Sequence, residues 1–173
     1  SRAEWPAGPG DAEPDLLEWR DEDTGYPCLI VRNDMGALCG YVGVPPEHPW
    51  HGQDYGIPDV EAPGGLTYAD ACAGNICHVP LPGEPDGVWW FGFDCAHSWD
   101  IVPWMLKYRG TGGGLGESYK DIGYVQRACA SLADQLKAGP APVSAPLTPD
   151  DLADAKADYQ MDQDRDDRDT GDR

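Results

Sequence analysis

Cys28–Val44 reads CLIVRNDMGALCGYVGV, and this stretch decides the fold. Two β-rich runs, Cys28–Arg32 and Ala37–Val44, flank Asn33-Asp34-Met35-Gly36, whose residues suit a turn. That spacing predicts an antiparallel hairpin. Pro45-Pro46 stops the second run, because proline cannot donate to a strand ladder. Further along, Gly64–Tyr68 (GGLTY), Ile76–Val79 (ICHV) and Val88–Asp94 (VWWFGFD) read as three more strands, with a turn at Pro80–Gly87 between the last two. Ile122, Val125, Cys129, Leu132 and Leu136 fall at helical spacing and make one apolar stripe. Ser118 with Asp121 resembles a capping box, and Gly139-Pro140 ends the helix. The expected fold is α+β: a small antiparallel sheet of about four to five strands packed on one main C-terminal helix.

Charge divides the chain into three parts. Of 173 residues, 12 are Lys or Arg and 31 are Asp or Glu, a net charge of −19. Residues 1–27 and residues 147–173 each carry −6, which leaves −7 for residues 28–146. The expected organisation is an acidic N-terminal extension over 1–27, a globular core over 28–138, and a Pro/Ala linker with an acidic, largely disordered tail over 139–173. A short helix over Pro149–Tyr159, capped by Thr148, is also expected. With no cluster of Lys and Arg, the charge argues against binding to DNA or RNA and against docking on an anionic membrane. No apolar run approaches the roughly 18 residues of a membrane span, and no hydrophobic signal segment follows Ser1. The expectation is a soluble, cytoplasmic protein.

The six cysteines, at 28, 39, 72, 77, 95 and 129, are scattered through apolar positions and read as buried free thiols rather than a disulfide framework. Cys72-x4-Cys77-His78 is a weaker zinc candidate, with His48-x2-His51 or Cys95-x-His97 as the second hook.

The densest polar constellation is Asp94-Cys95-Ala96-His97-Ser98-Trp99-Asp100, directly after the aromatic strand. Read as an enzyme, it offers His97 as a base or Cys95 as a nucleophile, oriented by Asp94 or Asp100. Read as structure, Asp94 and His97 pin a turn. With no nucleophile elbow and no His-x-Glu metal motif, binding outweighs catalysis, no catalytic residue is assigned and no cofactor is implied. The chain has 7 Trp and 8 Tyr but 2 Phe, and Trp50, Tyr55, Tyr68, Trp99 and Trp104 fall in or beside loops, where they suit stacking on a planar ligand. Gly64-Gly65-Leu66-Thr67 would let backbone approach a phosphate, and Arg109 opens the loop Arg109–Gly116 (RGTGGGLG) as a candidate cation. The expected ligand-binding residues are His48, His51, Gly64, Gly65, Thr67, Tyr68, Trp90, Asp94, His97, Trp99, Asp100 and Arg109. A metal, if bound, would use His48, His51, Asp94 and His97.

Several of these motifs occur together in a fixed order. Cys39-Gly40-Tyr41-Val42, Pro46-x-His48-Pro49-x-His51-Gly52, Gly64–Tyr68, Trp89–His97 with Asp100, and Tyr119-Lys120-Asp121-x-x-Tyr124-Val125 together resemble a family of small proteins encoded by bacteriophages and prophages, notably of actinobacteria. The resemblance covers residues 37–136. Where that family usually has a His before GGLTY, this chain has Ala62-Pro63. The resemblance implies an accessory phage gene acting in the cytoplasm of an infected bacterial host, and assigns no activity. By analogy with small phage proteins that counter host defence, the leading expectation is sequestration of a nucleotide-type immune signal, by a homo-oligomer. A metal-dependent hydrolase of a nucleotide-type substrate and an acidic DNA mimic that blocks a host protein remain as alternatives.

Overall fold

In the computed structural model, residues 2–84, 86–109 and 116–141 are described. The expected linker, tail and helix at Pro149–Tyr159 lie almost wholly outside them. The hairpin forms where the sequence places it: β2 (Pro27–Arg32) pairs antiparallel with β3 (Leu38–Val44). Asn33 makes the turn by accepting the N–H groups of Met35 and Ala37, both at 3.0 Å, and Gly36 takes φ +88°. Around this pair the sheet has five strands in the order β1-β2-β3-β5-β4, all neighbours antiparallel, with β1 Leu16–Arg20, β4 Tyr68–Ala71 and β5 Trp89–Asp94. A short helix α1 (Pro103–Arg109) and a long one α2 (Ile122–Ala138) follow. The α+β expectation holds, with α2 on one face of the sheet.

Alternation explains the two faces. Cys28, Ile30, Leu38, Val42, Phe91 and Phe93 turn toward α2 and meet its stripe, of which Val125, Cys129, Leu132 and Leu136 are fully buried. Gly40 is required between them: a Cβ there would lie 2.5 Å from Phe93 Cζ and 2.8 Å from Cys129 Sγ. Asp121 is the N-cap of α2, accepting the Tyr124 N–H at 2.7 Å, while Ser118 bridges to Asp100 instead of completing a capping box. On the opposite face Leu29, Cys39, Tyr41 and Trp90 form a smaller cluster, against which Val31, Tyr68 and Ile76 pack.

Three expectations about elements are corrected. Residues 1–27 are not an extension outside the core, because β1 pairs with β2 from Leu16↔Val31 to Arg20↔Pro27. The acids there are structural. Glu13 accepts the Ile122 N–H at 2.9 Å, the first of α2, and also accepts Arg32 Nη2 at 3.1 Å and the Tyr119 hydroxyl. Asp15 accepts Arg32 Nε at 2.9 Å and pairs with Arg2. The Arg32 side chain is 2 % exposed, so its charge is compensated by carboxylates that the sequence suggests are solvated. Second, Gly64 and Gly65 form a turn with φ +68° and +84°, and the strand begins only at Tyr68. Third, Ile76–Val79 is no strand; Ile76 bridges back to Ala73 across a small loop.

That loop is closed by a Cys72–Cys77 disulfide, which corrects the expectation of six free thiols. Both sulfurs are consumed, so the zinc candidate built on them falls. Cys28, Cys39, Cys95 and Cys129 are free and buried as expected. Among the described residues no helix is long and apolar enough to cross a membrane.

Candidate functional site

The residues that the structure brings together sit where β5 ends. Asp94, last in the strand, accepts the Ala96 N–H at 3.0 Å and the Thr67 hydroxyl at 3.2 Å. The chain then turns so that Asp100, its side chain 2 % exposed, faces back onto His97. One Asp100 oxygen accepts both the His97 backbone N–H at 3.1 Å and the Nδ1–H at 2.9 Å, which fixes the ring and its tautomer. The other oxygen is buried without a hydrogen bond, with Lys120 Nζ 3.8 Å away. The Ile101 N–H donates to the Ser118 carbonyl and the Ser118 N–H to the Trp99 carbonyl, tying this turn to the segment that leads into α2.

The imidazole is held on its other side by glycine. A Cβ on Gly64 would lie 1.8 Å from His97 Nε2, and the φ of +68° there suits glycine as well. The Gly-Gly turn therefore makes room for His97. On the open side Trp99 stacks on His97 with centroids 4.9 Å apart and planes 8° apart, while the indole is 52 % exposed. The result is a flat aromatic platform with one face free. Asp94, Thr67 and Lys120 stand around its base.

Of the twelve expected ligand-binding residues, Gly64, Gly65, Thr67, Asp94, His97, Trp99 and Asp100 belong to this turn region. The others do not join them. Trp90 is fully buried in the smaller cluster, edge-on to His78, because alternation sends it away from α2; it is core and not a ligand contact. Tyr68 packs edge-on against Tyr41 in the same cluster. His48 is buried and uses both ring nitrogens, accepting the Trp50 N–H at 3.0 Å and donating to the Leu136 carbonyl at 2.6 Å. It pins the end of α2. His51 donates to the Gly87 carbonyl and packs on Trp89, at the opposite end of β5 from Asp94. Six residues of strand separate these ends by about 17 Å. His48 and His51 thus do not join Asp94 and His97 as metal ligands, and no group of three or more His, Cys, Asp or Glu that could hold a metal occurs among the described residues. Arg109 is exposed at the end of α1 and pairs with Glu117 at 3.4 Å; residues 110–115 of its loop lie outside the described residues.

Cys95 is not available as a nucleophile. It is 3 % exposed, and burial, reinforced by Asp100, Cys39 and Asp94, pushes its thiol up to about 12. Tyr41 and Cys39, both members of the smaller cluster, are shifted the same way by burial. No protein-family model, no curated protein and no solved structure matches this chain.

Proposed function

We propose that this protein binds and holds a small nucleotide-type ligand, with Trp99 as the stacking platform. The observation that carries the reading is the parallel-stacked His97–Trp99 pair, anchored by the buried Asp100 and offering an exposed indole. An exposed, pre-oriented indole suits a nucleobase, because every base has a π-face and pays little ordering entropy against a rigid partner. Asp94 keeps acceptor capacity beyond its two bonds, which suits the N–H edge of a base; Lys120 is the nearby cation for a phosphate. Holding rather than cleaving fits the unavailable Cys95 thiol. In the setting that the phage resemblance implies, the bound molecule is an immune signal removed from circulation by a homo-oligomer.

A hydrolase reading draws on one specific feature, the Asp100–His97 pair, which resembles an oriented general base. One experiment separates the two. The protein is titrated with nucleoside monophosphates, cyclic dinucleotides and ADP-ribose by tryptophan fluorescence, and the bound ligand is then released by heat and weighed. Binding that weakens about tenfold to a hundredfold in Trp99→Leu, with intact ligand recovered, supports the proposal. Cleaved product overturns holding, and an unaffected Trp99→Leu overturns the platform.

A further inference from the structure

Two neighbouring hollows away from this turn share Tyr26, Pro45 and Glu47 in their lining. One, of about 190 Å³, reaches His78; the other, of about 460 Å³, reaches Lys137 at the C-terminal end of α2. Tyr26 is 7 % exposed and lines both hollows. His78 is 9 % exposed, and its Nδ1 is buried with no hydrogen-bond partner among the described residues. A polar atom so deeply buried normally has a partner.

The chemistry of the lining is that of acceptors. Glu47 is exposed, has no ion-pair partner among the described residues, and stands close enough to Tyr26 to help raise its phenol, after burial. The C-terminal end of α2 adds the negative end of a helix dipole. Arg20, at the rim, is already engaged by Glu84 and the Gly25 carbonyl. One ammonium already uses this place: Lys137 Nζ lies 5.1 Å above the Tyr26 ring.

We infer that this groove binds a small organic cation, an alkyl ammonium held between the Glu47 carboxylate and Tyr26, with its chain along Pro45. Lys137 is its built-in competitor for the aromatic face. The site is separate from the Trp99 platform and stands or falls without it.

The test is an NMR titration of the full chain with n-butylammonium, against n-butanol and butyrate as neutral and anionic controls. Saturable shifts with butylammonium alone are expected. Glu47→Gln should weaken binding about tenfold, as for loss of one charge-assisted contact. Glu18→Gln, which removes the same charge from the exposed face of β1, should leave it unchanged, and Lys137→Met should tighten it. Absence of saturable shifts at millimolar ligand, equal binding of butanol, or equal weakening by both Glu→Gln changes overturns the site. An unchanged affinity in Lys137→Met overturns the competition on Tyr26.

Discussion

Replacing Glu13 by Ala removes one carboxylate that three groups share, and its cost can be worked from the geometry. The Ile122 N–H loses its acceptor at the start of α2, a capping loss of about 1 kcal/mol. The Tyr119 hydroxyl loses a charge-assisted bond, about 1.5 kcal/mol. Arg32, nearly inaccessible, keeps Asp15 but loses its second carboxylate, which costs less than the 3–5 kcal/mol of leaving a buried charge alone; about 1.5 kcal/mol is reasonable. The three together come to about 4 kcal/mol, or a fall in Tm on the order of 10 °C for a domain of this size. Urea unfolding followed by far-UV circular dichroism measures it as a lower midpoint at unchanged slope. Glu13→Gln retains an oxygen for one donor and should lose about half as much, and Glu18→Ala on exposed β1 should stay within about 0.5 kcal/mol. A Glu13→Ala loss below about 1 kcal/mol would refute the reasoning, because it would mean that the N-terminal segment is not locked to α2.

Gly64→Ala should displace His97 and strain the turn, lowering stability by about 2 kcal/mol and abolishing fluorescence quenching by any stacked ligand. Gly40→Ala forces a methyl between Phe93 and Cys129 and should destabilise by about 3 kcal/mol in the same urea assay. The free thiols have pKa values raised by burial, to about 12 for Cys28 and about 11 for Cys39, so at pH 8 they are protonated in the native state. Iodoacetamide should therefore leave all four unlabelled until urea unfolds the chain, as mass spectrometry would show; rapid native labelling of Cys95 would revive it as a nucleophile. Changing both Cys72 and Cys77 to Ser opens a small loop and should cost about 2 kcal/mol of unfolding free energy, read from the shift in urea midpoint.

The hairpin, the aromatic strand and α2 were legible because each obeys a local rule: a turn between β-rich runs, alternation, or a helical stripe. β1 was not. Leu16-Leu17-Glu18-Trp19-Arg20 is short and lies among eight acids, and charge density reads as a solvated end. What folds it is non-local: Arg32, Tyr119 and the N-terminus of α2 all need carboxylates, and no spacing within residues 1–27 reveals that need. The disulfide was hidden for a similar reason, since Cys72 and Cys77 differ from the buried thiols only in their exposure. In the candidate site, Asp94, His97 and Asp100 were visible as a run, whereas Gly64 joins them through space. His48 and His51 misled because two histidines three apart resemble a metal hook, yet each is spent on a backbone carbonyl. The groove around Tyr26 carried no signal at all, since its residues come from separated loops and the end of α2.

Glu13 and Ile122 are 109 residues apart and joined by one hydrogen bond. During synthesis β1, β2 and β3 can pair early, because their contacts are local. Yet much of the apolar face of that meander stays uncovered until α2, with Val125, Cys129, Leu132 and Leu136, has left the ribosome. The arrival of α2 therefore acts as a closing step of folding, and it secures the segment leading into β1 at the same moment. Until then the nascent sheet is the vulnerable species, with Ile30, Val42 and Phe91 open to the wrong partner.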